Sequence, residues 1–457
     1  MRRSQPYRIG NATFFPMLLV NPSRPPEKSF RVGVDGFNMA MRHGTGIATY
    51  GRTLTHALRG MGLGVDVVFG MNISKRTSPA LREVIFFDSL DDEHVRKPAT
   101  VFSPRWWTDL ADTASGLEAV EIALSGRVEH RGFAQRLPAY DRLLNVPALF
   151  RAAARHYRNH KRFLTFKVAD PPDVMHWTYP LPIRMLGAKN IYTIHDLVPL
   201  RLPYTTLDDK GMHFRLIRDI VTNADLICTV SEASARDIAA FFGDSAGKLF
   251  NTYQALMPDR QAPARTEAQI GAQLGGLYDL RPDGYFLFFG SLEPKKNIGR
   301  IIEAFLATPT SRRLVIVGSR AWKAEHELRF LQRGVKARRV KQFDYLPQAE
   351  LTTLIRGARA VLFPSLSEGF GLPVLEALSL GTPVLTSGEG ALPEVVGDAA
   401  CFADAYDSDS IARGIARLDT DDEYCARLRE SGPIRAEKFT MPAYQERLSA
   451  LYARALS

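Results

Sequence analysis

Cysteine is scarce: Cys228, Cys401 and Cys425 are the three in 457 residues, far apart and with no C-x-x-C pair. No disulfide framework or zinc knuckle can be built from them, and a reducing, cytosolic setting is the plainest inference. Long apolar runs are also missing. The longest weakly charged stretch, residues 369–388, is interrupted by Pro373, Glu376 and Pro383, whereas a membrane-crossing helix needs about 20 mostly apolar residues. Met1-Arg2-Arg3 followed by the apolar run 14–20 resembles a short signal sequence. Pro16 breaks that run and no small-x-small site follows, so residues 1–30 read as an N-terminal extension. There is no Walker A motif, G-x-S-x-G elbow or Rossmann G-x-G-x-x-G, and no His/Asp/Glu cluster at metal-ligand spacing. Asp407-Ser408-Asp409 is a nominal D-x-D, but it lies near a predicted helix start, where Asp and Ser are ordinary caps.

What is present is ordinary for a globular protein, with 45% hydrophobic and 24% charged residues. The net charge is +10, which calls for an anionic partner without naming it. Residues 127–167 hold ten basic residues against two acidic ones, so +8 of the total is local. Within this segment, 147–161 read as a helix with Pro147 at its start and Phe150, Ala154 and Tyr157 on one side. Basic residues with interleaved aromatics fit an anionic membrane surface or lipid head group. The other reading is a solvated basic face that packs its apolar stripe on its own domain. No nucleic-acid-binding module matches the segment, so nucleic acid is not an expected partner.

Short β-rich runs alternate with helical stretches through the rest of the chain. Strands are predicted at 31–35, 65–69, 84–87, 174–177, 191–194 and 226–230, with a helix at 47–59. Residues 258–284 carry Pro258, Pro263 and Pro282, break the pattern and read as an interdomain connection with room for one short helix. A second series has strands at 285–289, 314–317, 360–363 and 383–386, with helices at 298–307, 348–357 and 372–380. The alternation implies two α/β lobes with parallel sheets, and a cleft between them is the default site. The expected division is an extension at 1–30, a first lobe at 31–262, a linker at 263–284 and a second lobe at 285–439. The chain ends in a last amphipathic helical pattern from Pro442, within 440–457.

The densest chemical signal is Glu368-Gly369-Phe370-Gly371-Leu372-Pro373, with Glu376 eight residues beyond Glu368. It follows a predicted strand and opens a helix. A strand, a Gly-rich turn and a helix N-terminus leave backbone N–H groups free for an anion. A carboxylate cannot bind phosphate but accepts hydrogen bonds from sugar hydroxyls. The composite suits a ligand with both a diphosphate and hydroxyls, a nucleotide sugar. Taken singly, a Glu at a helix start can simply favour the dipole, and a lysine pair in a loop is usually solvated.

The pair Glu368 and Glu376 resembles the E-x7-E signature of retaining GT-B glycosyltransferases of family GT4. Four further blocks resemble the family in the same order: Gly44-Thr45-Gly46, Thr193-Ile194-His195-Asp196, Ala224 to Glu232, and Gly290-Ser291-Leu292-Glu293-Pro294-Lys295-Lys296-Asn297. Gly381-Thr382-Pro383-Val384 and Leu392-Pro393-Glu394-Val395-Val396-Gly397 extend the match downstream.

The resemblance implies a GT-B fold: two doubly wound Rossmann-like lobes, an interdomain cleft and a C-terminal crossover helix. Glu368 would contact donor-sugar hydroxyls, and Gly369, Phe370, Gly371 and Leu372 would present backbone to sugar and diphosphate. Glu376 would take the ribose. Lys296 with Lys295 would neutralise the leaving diphosphate beside Gly290 and Ser291. Some relatives carry Arg where this chain has Ser291, so Arg320 or a first-lobe group would replace that contact. His195 would lie by the reacting sugar, and Gly44, Thr45 and Gly46 would form an acceptor or phosphate loop. His195 also has the plainer reading of a hydrogen-bonded core histidine.

The implied activity is metal-independent hexosyl transfer without a cofactor, from a nucleotide diphosphate sugar to a lipid-linked glycan acceptor. The pattern looks most like bacterial mannosyltransferases of O-antigen and exopolysaccharide assembly, which implies GDP-mannose at the inner face of the membrane. The alternatives are a UDP-hexose donor such as UDP-glucose, a GT-B sugar-nucleotide epimerase, and a catalytically silent scaffold.

Overall fold

The computed structural model describes residues 30–40, 46–74, 76–91, 117–133, 137–257, 265–319 and 330–457. Gly44, Thr45, Arg320 and residues 1–29 of the expected extension lie outside them. The first lobe is built on β1 (Arg31–Asp35), β2 (Gly64–Phe69), β3 (Val120–Glu121), β4 (Arg142–Asn145), β5 (Val174–Trp177), β6 (Lys189–Ile194), β7 (Leu226–Thr229) and β8 (Leu249–Asn251). They lie in the order β8-β7-β6-β5-β1-β2-β4-β3. The pairs are parallel except β3 with β4. The second lobe has β9 (Tyr285–Phe289), β10 (Arg313–Val317), β11 (Val340–Phe343), β12 (Ala360–Phe363), β13 (Val384–Ser387) and β14 (Cys401–Ala403), in the order β11-β10-β9-β12-β13-β14. Runs such as Tyr285–Phe289 are buried along their whole length, as strands covered on both faces must be. In each sheet the order reverses beside the first strand, between β1 and β5 and between β9 and β12. Ligand crevices open outside the carboxyl ends of strands at such points.

The helices used below are α1 (Gly46–Gly60), α2 (Pro79–Asp91), α3 (Leu149–His160), α4 (Glu232–Phe241), α5 (Glu267–Tyr278), α6 (Ile298–Ala307), α7 (Gln348–Gly357), α8 (Leu372–Ser379), α9 (Leu392–Val396), α10 (Ser408–Thr420), α11 (Asp422–Ala436) and α12 (Met441–Leu456). Two sequence expectations need correction, and two are sharpened. Residues 84–87 are not a strand but part of α2, where Phe86, Phe87 and Leu90 turn to the core at helical spacing. A short β-branched and aromatic run does not distinguish the two states by itself. The stretch 263–284 is not merely a linker. Thr266 and Gln269 form a capping box for α5, and Ile270, Leu274 and Tyr278 belong to the second-lobe core. On α3, Ala154 is exposed, and the buried stripe is Leu149, Ala152, Ala153 and Tyr157. Of the basic residues of 127–167, Arg142 is engaged internally. It bonds Asp66 through both Nε and Nη2, at 2.8 and 2.6 Å, and pairs with Asp170 at 3.2 Å.

The chain end returns to the first lobe. Leu448, Leu451 and Tyr452 of α12 are buried in the same core cluster as Val32 and Val65 of β1 and β2. Phe370 and Leu375 of the second lobe join that cluster too. The two lobes are therefore sutured at the hinge by apolar packing, with Tyr253, Phe370 and Phe439 as a three-ring group whose centroids lie 5.4–6.4 Å apart.

Candidate active site

The second-lobe half forms where β9 and β12 end. Gly290 closes β9, and the next turn places Lys295 and Lys296 ahead of Asn297, whose φ of +62° turns the chain into α6. Asn297 Nδ2 donates to the carbonyls of Pro364 and Ala405 at 2.9 and 2.7 Å, and Leu366 N donates to the Lys295 carbonyl at 2.8 Å. These bonds tie the lysine turn to the loop leading to Glu368. Lys296 Nζ then reaches Glu368 Oε1 at 2.7 Å, both side chains buried, and stands 4.9 Å from the Phe363 ring centre. The pair is a cation and an anion held dry against an aromatic face.

Gly371 opens α8 with φ +103°, a conformation that a side chain would strain. The amides of Gly369, Phe370, Gly371 and Leu372 donate to no protein acceptor among the described residues. Free N–H groups at a helix start are a place for a negative group. Glu376 lies in the next turn. Burial pushes its carboxyl up to about 7, and the carboxyl has no hydrogen-bond or ion-pair partner among the described residues. Ser291 is exposed, and its hydroxyl donates to Glu293 at 3.0 Å. The nominal D-x-D is a cap: Asp407 accepts from Asp409 N at 2.9 Å at the start of α10.

The first-lobe half lies at the ends of β1, β5 and β6. His195 Nε2 lies 2.9 Å from the Thr178 carbonyl. A carbonyl only accepts, so the proton sits on Nε2, and in the neutral ring Nδ1 keeps its lone pair. Burial lowers the His195 pKa, which favours that neutral form. Asp35, at the end of β1, accepts from the amides of Thr178 and Phe37 and so fixes the carbonyl that His195 uses. Burial pushes the Asp35 carboxyl up to about 6. Gly46 is exposed and opens α1.

The two halves meet. A Cβ on Gly369 would lie 2.5 Å from the His195 carbonyl oxygen, so only glycine permits this approach. Lys295 Nζ is 4.0 Å from Asp196 of the first lobe and 4.0 Å from Glu293 of its own. Burial would lower its pKa, but Asp196, Glu368 and Glu293 together hold the ammonium above its ordinary value. Glu394 of α9 reaches across to α4, accepting from Glu232 N at 2.9 Å and Ala233 N at 2.7 Å. A second-lobe carboxylate thus caps a first-lobe helix.

The lobes match two family profiles: Glycosyltransferase Family 4 over residues 44–250 and Glycosyl transferases group 1 over 281–435. The chain is 31% identical over 288 residues to the O-antigen chain mannosyltransferase B of Escherichia coli, an alignment spanning 62% of this chain and 74% of that one. The chain belongs to the GT4 glycosyltransferases. Solved structures agree on the GT-B fold. Sucrose-phosphate synthase from Thermosynechococcus elongatus superposes with a TM-score of 0.63 at 17% identity, over 93% of this chain and 98% of that one. HepE from Anabaena in complex with UDP-glucose gives 0.59 at 14%, over 93% and 99%.

For a hexosyltransferase, the arrangement has a direct chemical sense. Two lysines and a run of backbone amides, unpaired among the described residues, lie on one lobe of the cleft, and such fixed positive groups suit an anionic ligand. Of the residues singled out in the sequence, the structure brings together Lys295, Lys296, Glu368, Gly369 and His195. Sequence reasoning gave no role to Asp35, Tyr50, Ser234 or Glu394. Ser234 Oγ donates to the His195 carbonyl at 2.6 Å, and the Tyr50 ring meets the His195 ring edge-on with centroids 4.9 Å apart. No spacing rule pairs residues 39 or 145 positions apart.

Proposed function

We propose that this glycosyltransferase moves mannose from GDP-mannose to a hydroxyl of a lipid-linked or polysaccharide acceptor in bacterial cell-surface glycan synthesis, with retention of configuration. The 31% identity to an O-antigen chain mannosyltransferase carries this reading. Glu368 and His195 address the donor sugar, Glu376 the ribose, and Lys296 with Lys295 and the 369–372 amides the diphosphate. The acceptor enters from the first lobe on the face the leaving group departs from, and the departing phosphate oxygen takes its proton. No metal or cofactor is used. Gly44, Thr45 and Gly46 line the acceptor or phosphate side. The first lobe is the acceptor-binding domain, with the chain end at 440–457, and the second holds the donor.

No described helix is long and apolar enough to cross a membrane. The protein works in the cytoplasm, peripherally at the inner membrane face, where the basic face of α3 within 127–167 meets anionic lipid. Arg151 and Arg158 are exposed on that helix.

A screen of GDP-mannose against UDP-hexoses, with a polyprenyl-diphosphate-linked acceptor, tests the donor. Release of GDP from GDP-mannose is expected. Release of UDP alone would move the assignment to a UDP-hexose such as UDP-glucose, the reading that the HepE complex favours. No turnover of any donor by folded protein would favour a silent scaffold.

A further inference from the structure

Behind His195 runs a buried polar chain that the reaction does not itself require. Tyr452 Oη of α12 lies 2.7 Å from His176 Nδ1 of β5. His176 Nε2 lies 2.8 Å from Thr193 Oγ1 of β6, which lies 3.0 Å from Tyr50 Oη of α1. The Tyr50 ring is the one that meets the His195 imidazole edge-on. All four residues are fully or almost fully buried, with relative exposure of 1% or less. Burial also pushes the His176 pKa down to about 3. A neutral imidazole has one N–H and one lone pair, and here both are used. The chain is satisfied whichever way the protons run, because the hydroxyls of Tyr452, Thr193 and Tyr50 each donate or accept.

Such a chain fixes more than each bond alone, since every member limits the rotation of the next. With Tyr452 Oη in place, His176 has one orientation, Thr193 one rotamer, and the Tyr50 ring one seat against His195. We propose that Tyr452, on the last helix of the chain, is a positioning residue for His195 and acts through His176, Thr193 and Tyr50. This rests on the reading of His195 as the imidazole beside the reacting sugar. It goes further in making the docking of the C-terminal helix part of what sets that ring. The plain rival is a buried polar chain that only fixes the register of α12 on the sheet.

The test uses full-length protein labelled with 15N-histidine, the His195 ring signals being assigned by their loss in His195→Gln. Tyr452→Phe keeps the ring and removes the hydroxyl. Leu451→Ala, one residue away and fully buried, loosens the packing of the same helix and leaves the chain intact. The expected result is that Tyr452→Phe shifts the His195 ring signals and lowers kcat with GDP-mannose about tenfold or more. Donor KM should stay within about twofold, because the proposed ribose and diphosphate contacts lie in the second lobe and are untouched. Leu451→Ala should lower Tm while leaving the His195 signals in place. Unmoved His195 signals in Tyr452→Phe would overturn the proposal, and so would an equal shift in Leu451→Ala. If wild-type protein does not turn over GDP-mannose, the donor reading fails, and the ring signals alone still decide this one.

Discussion

In the second lobe, the residues read as donor-binding are held by their own lobe: Lys296 by Glu368 at 2.7 Å, and the lysine turn by the Pro364, Leu366 and Ala405 backbone. In the first lobe, His195 is held from many places at once. Thr178 takes its N–H, Asp35 fixes Thr178, and Ser234 bonds its carbonyl. Tyr50 packs its ring, and the supporting chain ends in Tyr452, 276 residues from His176. The difference teaches that the two halves have different sources of order. The second-lobe half is preformed by a compact set of local loops. The first-lobe half is complete only when α12 has docked and the lobes have met.

The largest expected effect comes from breaking the preformed half. Lys296→Ala should lower transfer by roughly 10²–10³-fold, as loss of a fixed group at developing charge does. It also leaves the Glu368 carboxylate buried without its partner, at a cost of about 3–5 kcal/mol in thermal or denaturant unfolding. Lys295→Ala should cost less on both counts, since its carboxylates stand at 4.0 Å. The reverse order would mean that Lys295, not Lys296, dominates the donor half.

Neutralising Arg151, Arg155 and Arg158 tests what else the first lobe does. At about 1 kcal/mol per basic residue near an anionic surface, binding to phosphatidylglycerol vesicles at low salt should fall about 10²-fold. Turnover of a short soluble acceptor should hold. Equal loss of both, or of neither, would return α3 to a solvated face that merely packs on its lobe.

Glu394→Ala breaks one of the contacts between the halves. Loss of a carboxylate cap costs about 1 kcal/mol. Small-angle scattering of the ligand-free protein should then show a larger radius of gyration, with donor restoring the wild-type value. An unchanged radius would reduce Glu394 to a simple helix cap.

The remaining prediction concerns Glu376 and is read as a pH dependence. Its carboxyl is raised to about 7 in the folded chain from an ordinary 4.5. The fold thus favours the protonated form, and stability falls as pH climbs from 4.5 through 7. Glu376→Gln should flatten that slope. Ribose hydroxyls bond the ionised form better, so GDP binding at pH 6.5 should release a fraction of a proton. Calorimetry in buffers of differing ionisation enthalpy reads this directly, and the same release in Glu376→Gln would remove the residue from the ribose site.

Much of this was legible from residue order. The strands at 174–177, 285–289 and 360–363, the helices at 298–307 and 348–357, and the two-lobe division follow from period and punctuation. The carboxylate and lysine blocks are visible because a strand, a turn and a helix start lie together in sequence. The reading failed where a local pattern was ambiguous. Val84-Ile85-Phe86-Phe87 suits a strand or a buried helix turn, and packing decided for the helix. In 263–284 one short helix was legible between the proline-rich flanks, but its packing on the second-lobe core was not.

The sequence by itself determined the two-lobed α/β architecture and the Glu and Lys blocks that resemble the GT4 family, because alternation, Gly-rich turns and those blocks are short-range features. Only the tertiary structure decided that Lys296 is locked to Glu368, that Gly369 touches His195, that Glu394 caps a helix of the other lobe, and that Tyr452 stands behind the imidazole. Each is a contact between residues tens to hundreds of positions apart. Such contacts are set by how two sheets and a returning helix pack, which no local spacing encodes.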